Sequence, residues 1–317
     1  MNNSNIQNIF VIAHTDHGKT TLVESLVSNR TIKKEEDSDI TTMGSLFHYD
    51  LPDSVPLPLG LDSRRFLLNL IDTPTVDIGC RLKESDDALV VVDVVEGVCV
   101  SGQAMLQLER INSVLFINKM DRLILELQLD SEDAYQTINR IVETINVSIQ
   151  LGGNGSNSKQ KRIIDPVVGN VAFGSGVQGW AFTLENWAAL YETKLGVPKE
   201  KLLRRLWGNN FFDDVNKKWV SNRVSEDGRT LKRGFCFLIY EPLRDIILAA
   251  NEKNSEKLTK QLYYININLT NAELEQTSRK ELICTVMKRF LLINNCIISM
   301  VVKHLLLPSP SPHNNII

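Results

Sequence analysis

Short, unbroken apolar runs rich in β-branched residues punctuate the first half of the chain. They are IFVIAH (Ile9 to His14), RFLLNLID (Arg65 to Asp72), ALVVVD (Ala88 to Asp93), SVLFIN (Ser113 to Asn118) and VVGNVAF (Val167 to Phe173). Their hydrophobicity is continuous rather than alternating, which predicts strands covered on both faces, as in a parallel sheet. Between them, KTTLVESLVSN and SEDAYQTINRIVETIN carry apolar residues at helical spacing, so strand and helix alternate. The predicted fold class is α/β: a doubly wound, mainly parallel sheet with helices on both faces and its ligand at the carboxyl ends of the strands.

The pattern changes in the second half. LENWAALYETKLG, KEKLLRRLWG, PLRDIILAANE, NSEKLTKQLYYI and the long RKELICTVMKRFLLINNCIISMVVKHL predict helices, with KRGFCFLIYEP as a strand among them. The expected organisation is a first unit over 1–182, an inserted or appended α+β subdomain over 183–290, a helix over 291–307 returning to the first unit, and a disordered tail over 308–317. Two stretches predict irregular loops: Leu151 to Arg162, through its Gly, Asn and Ser content, and Asp50 to Ser63, whose three prolines exclude helix.

Composition narrows the partners. A chain of 317 residues with 43% hydrophobic content can bury a real core. The net charge of -3 gives no global sign of nucleic-acid affinity, so no DNA partner is expected and any RNA must be met through a local patch. The five cysteines are scattered without metal-ligand spacing and predict thiols in a reducing compartment. CIISMVVKHLLL is too short to span a bilayer and is interrupted by Lys303, so no membrane partner is expected. Trp180, Trp187 and Trp207 are expected as core anchors rather than base-stacking platforms.

The chemistry concentrates at strand ends. AHTDHGKTT, Ala13 to Thr21, follows a strand, opens a helix, and fits the phosphate loop GxxxxGK[ST] except that Ala13 stands at the first glycine. Such a loop turns the amides of His14, Thr15, Asp16, His17, Gly18 and Lys19 and of the following Thr20 and Thr21 toward nucleotide phosphates, helped by the helix dipole. Gly18 permits close approach, Lys19 brings charge to the β and γ phosphates, and the Thr20 hydroxyl suits magnesium. LIDTP places Asp72 where a carboxylate approaches that magnesium through a water, although Asp-Thr-Pro alone is common turn chemistry. INKMD supplies Asn118, Lys119 and Asp121; the Asp121 carboxylate accepts from the N1-H and amino group of guanine and mismatches adenine, which selects GTP over ATP.

With these motifs in this order, the chain resembles the elongation factor 2 family of translational GTPases, over its N-terminal GTP-binding domain. NIFVIAHTDHGKTTLVESLV, LLNLIDTP, ALVVVDVVEGVCV, NKMDRLILELQL, NVAFGSGVQGWAFTL and RLWGNNFF carry the likeness. The resemblance implies a P-loop NTPase fold with an inserted subdomain, GTP/GDP and Mg2+ as cofactors, and cytoplasmic action on the ribosome in GTP-dependent translocation. It assigns Ser175, Gly176 and Val177 to the motif that holds the guanine O6, and Thr41 of DITTMGSLFHYD, with Thr42 as the register alternative, to magnesium. The ribosome-maturation GTPase related to elongation factor 2 shares many of these motifs and stays an alternative.

The resemblance also marks departures. The stretch between Thr20 and Thr41 is shorter than in relatives. Where the family carries Gly-His after Asp-Thr-Pro, this chain has Asp72-Thr73-Pro74-Thr75-Val76-Asp77, so the histidine that helps position the attacking water is absent near Thr75. Positioning and charge compensation carry GTP hydrolysis, the trans-supplied stabilising group alone contributing about a thousandfold or more. Impaired hydrolysis is expected, and a GTP/GDP-binding module without translocase activity is the second reading.

Overall fold

The computed structural model describes residues 6–27, 34–35, 43–50, 65–72, 87–98, 112–151, 163–274 and 278–306. Its centre is a sheet of eight strands: β1 (Ile6–Ala13), β2 (Lys34–Glu35), β3 (Met43–Asp50), β4 (Arg65–Asp72), β5 (Asp87–Asp93), β6 (Asn112–Asn118), β7 (Val171–Ser175) and β8 (Trp180–Phe182). They lie in the order β2-β3-β4-β1-β5-β6-β7-β8. Strands β4, β1, β5, β6 and β7 pair in parallel, and antiparallel strands extend both sides. The sheet is α/β and mainly parallel, as the apolar runs predict.

Those runs are unbroken because each strand feeds two cores. Along β5, Ala88, Val90 and Val92 belong to one core while Leu89 and Val91 belong to the other. β6 divides in the same way, with Leu115 and Ile117 set against Val114 and Phe116. The first core is covered by α2 (Met120–Leu125) and α3 (Ser131–Leu151). On α3 the buried residues Tyr135, Ile138, Val142, Ile145 and Ile149 recur every three or four positions, each contributing about 1.5–3 kcal/mol on burial. The second core is covered by α1 (Lys19–Val27) through Leu22, Val23 and Leu26, and by α10 (Ile293–Val301).

Between these come α4 (Leu184–Leu195), α5 (Lys199–Arg205), a small antiparallel sheet of β9 (Phe211–Asp213), β10 (Lys218–Val220) and β11 (Lys232–Arg233), then α6 (Glu241–Asn251), α7 (Ser255–Tyr264), α8 (Asn271–Leu274) and α9 (Arg279–Phe290). Residues Phe235, Ile246, Leu258 and Met287 of this region share the first core with the sheet. Trp180 and Trp187 are buried in that core and Trp207 packs against it, in the anchoring role expected of them.

Three expectations need correction. KRGFCFLIYEP is not a strand beyond Lys232–Arg233; Cys236–Tyr240 is a π-helical turn running into α6. Its buried residues, Phe235, Cys236, Ile239 and Tyr240, follow helical rather than alternating spacing. The last apolar run is two helices, because Leu291 and Leu292 leave the helix to bond the edge of β8: Ala181 N–H donates to Leu291 O at 2.9 Å and Trp180 bridges Leu292. The strand expected from Val167 begins at Val171, since residues 165–169 form a turn in which Val168 N–H donates to Asp165 O. The loop expectations over 152–162 and 51–63, the tail over 308–317, Thr41, Thr42 and Thr73 to Asp77 lie outside the described residues.

Candidate nucleotide-binding site

The loop that leaves β1 at Ala13 and enters α1 at Lys19 bends through two left-handed residues, Asp16 at φ 64° and Gly18 at φ 85°. Aspartate tolerates that region and glycine adopts it freely. At Gly18 no side chain fits, because an added Cβ would meet Asn118 Nδ2 at 2.5 Å. His17 N–H donates to His14 O at 3.2 Å within the loop, and Leu22 N–H donates to Gly18 O at 2.9 Å as the helix begins. Lys19, Thr20 and Thr21 form the first turn of α1, where amides and dipole favour an anion. Thr15 and Asp16 are exposed at the tip of the loop and His17 is buried beneath it.

Asn118, at the end of β6, joins three segments. Its Nδ2 donates to His17 O at 2.9 Å, and its Oδ1 accepts from Lys119 N–H at 2.8 Å and Gly176 N–H at 2.9 Å. It is 2% exposed, so these bonds form where water does not compete. Lys119, left-handed at φ 62°, reaches back over the phosphate loop. Its Nζ donates to Asp16 O at 2.5 Å and pairs with Asp93 Oδ2 at 2.8 Å.

Asp93 closes β5 and is completely buried. Burial opposes its charge, but the Lys119 hydrogen bond, the Val95 N–H at 2.8 Å and the Lys119 and Arg122 charges prevail, holding its pKa below the ordinary carboxylate value. The loop, the end of β5 and the end of β6 are thus locked by one ion cluster.

Asp121 behaves in the opposite way. Burial lifts its pKa above the ordinary value despite a hydrogen bond from the Ser175 side chain. Ser175 is 1% exposed, whereas Val177 is 73% exposed on the same loop. The Gln178 amide reaches toward Asp121 at 3.5 Å while its oxygen accepts from Trp180 Nε1 at 2.8 Å. A carboxylate held in this way is compensated by two N–H donors in one plane, the edge that guanine presents.

The structure therefore gathers His14 to Thr21, Asn118, Lys119, Asp121, Ser175, Gly176 and Val177 at one end of the sheet. For magnesium, Thr20 stands exposed in the first turn of α1. The Asp72 backbone lies at the end of β4, in register with Val11 of β1 and so beside the start of the phosphate loop. A hydroxyl and a carboxylate suit a hard cation that keeps most of its waters. Thr41, the third predicted ligand, is outside the described residues. Sequence reasoning missed Asp93 and Arg122; the one available signal was an aspartate ending a buried strand, ALVVVD, level with the strand ending in Asn118.

A strand, a phosphate loop, a helix and two neighbouring strand ends gathered beside the loop on a mainly parallel sheet define a P-loop GTPase domain. The sequence profile of the Elongation factor Tu GTP binding domain matches residues 4–247, and the chain belongs to this family of translational GTPases. No helix among the described residues is long and apolar enough to cross a membrane.

Proposed function

We propose that the chain is a magnesium-dependent GTP- and GDP-binding domain of elongation factor 2 type, acting in the cytoplasm on the ribosome. Lys19, Thr20 and the amides of His14 to Thr21 bind the phosphates. Thr20, Asp72 and Thr41 serve magnesium. Asn118 and Lys119 brace the loop, and Asp121, Ser175, Gly176 and Val177 take the base. The observation that carries this reading is the partly buried Asp121 carboxylate beside Ser175, on a loop that Asn118 ties to the phosphate loop. Residues 183–290 are read as a subdomain inserted in the nucleotide-binding unit of 1–182, which the return of α10 to the second core supports.

Hydrolysis in this chain is weak. Thr75 stands where the resemblance places Gly-His, which favours nucleotide binding over turnover and translocation. Measuring GDP, GTP and xanthosine-nucleotide affinities with Asp121→Asn, alongside single-turnover hydrolysis with and without ribosomes, tests both points. The expected result is tight guanine-specific binding, a preference moved to xanthosine nucleotides by the substitution, and little stimulation by ribosomes. Equal binding of both bases by Asp121→Asn sinks the pocket assignment, and brisk ribosome-stimulated hydrolysis sinks the weak-turnover reading.

A further inference from the structure

Side chains on the β5 side of the phosphate loop form a cluster that nucleotide binding does not use. The His14 and His17 rings lie with centroids 5.3 Å apart and tilted by 51°, and Glu96, on the turn after β5, reaches His17 Nε2 with its Oε2 at 3.3 Å. One ligand atom from each of the three residues lies within 4.8 Å of the other two. Tetrahedral coordination at bond lengths of about 2.0–2.1 Å sets ligand atoms about 3.4 Å apart, so the His17–Glu96 pair already has the spacing. Rotation of Glu96, 43% exposed, and of the partly exposed His14 closes the rest.

One imidazole is also oriented: His14 Nδ1 lies 3.1 Å from Thr15 O. A carbonyl on one ring nitrogen leaves the other as a lone-pair donor, the arrangement that supports metal-bound histidine. Two imidazoles and one carboxylate suit a borderline divalent cation such as zinc rather than magnesium, and water completes a four-coordinate site.

We infer that His14, His17 and Glu96 form a binding site for a zinc-class divalent cation, which clasps the phosphate loop to the turn after β5. Asp93, the partner of Lys119, ends the strand that leads into that turn, so occupancy braces the loop from its second side. The inference does not rest on nucleotide binding and is tested without nucleotide.

The full chain, stripped of metal by chelator and kept in millimolar magnesium to fill magnesium sites, is titrated with Co2+ and with Zn2+. One equivalent should bind, giving visible cobalt bands without a thiolate charge-transfer band, and zinc should raise the unfolding midpoint. Glu96→Gln should weaken binding about tenfold or more and abolish the shift in midpoint. Because Glu96 lies on a partly exposed turn, its replacement leaves the fold intact. A thiolate band, unchanged affinity in Glu96→Gln, or no saturable binding at micromolar metal would each overturn the site and leave a plain histidine–glutamate pair.

Discussion

Replacing Asn118 with alanine removes one buried side chain that makes three hydrogen bonds, to His17 O, Lys119 N–H and Gly176 N–H. Each contributes about 1 kcal/mol net, and the buried backbone groups left without partners raise the cost, so Asn118→Ala should lose about 2–4 kcal/mol. Against a total stability of about 5–15 kcal/mol that is a large fraction. With a urea slope near 3 kcal/mol/M, the unfolding midpoint should fall by about 1 M. Asn139→Ala on α3 removes the same atoms from an exposed site where the amide meets Glu143 alone, and should change stability by less than about 0.5 kcal/mol. Equilibrium unfolding of both variants decides the matter. Equal midpoints for the two would refute the claim that Asn118 is the junction of loop, strand and base-binding turn.

Guanine binding needs the Asp121 carboxylate, whose pKa is raised by burial. GDP affinity should therefore fall as pH is lowered through the raised folded value, where that group gains its proton, while the nucleotide-free domain gains stability as pH falls from the folded toward the ordinary value; fluorescence titration and unfolding across that range measure the two trends. Asp93 runs the other way, because its folded pKa is depressed. Its contribution is complete above the ordinary carboxylate pKa and is lost as pH falls through the folded value, so Asp93→Asn should lower stability near neutrality and flatten its decline in acid. At Gly174 an added Cβ would stand 2.2 Å from the Trp180 carbonyl, so Gly174→Ala should cost about 1–3 kcal/mol or more by forcing the β7–β8 hairpin apart, read as a lowered melting temperature.

The strands of the parallel centre were legible because burial on both faces leaves a run with no polar interruption, as in ALVVVD and SVLFIN. The outer strands were not. WAF of β8 is three residues long, and MGSLFHYD of β3 mixes apolar and polar positions without a clear period. In KRGFCFLIYEP the apolar positions suit either period, and packing of Phe235 and Tyr240 into the first core settled the helical one. At the site, motif spacing located the residues but not their partners. Lys119 reads as part of a base-binding motif, yet its ammonium group lies on Asp16 O, 103 positions away in sequence, and on Asp93. Glu96 carries no local signal at all, since its meaning depends on two histidines brought beside it by the pairing of β1 with β5.

The return of α10 carries a consequence for how the chain is made. Asn294 Nδ2 donates to Leu26 O at 2.8 Å across a separation of 268 residues, and Ile297 and Val301 share a core with Ile9 and Val11. At about 5–20 residues per second, translation takes roughly fifteen seconds to a minute to supply that cover after the first helix emerges. Throughout that interval one face of the β1 and β5 strands waits for its last layer, so nascent chains shorter than about the α10 position should be the ones that engage chaperones.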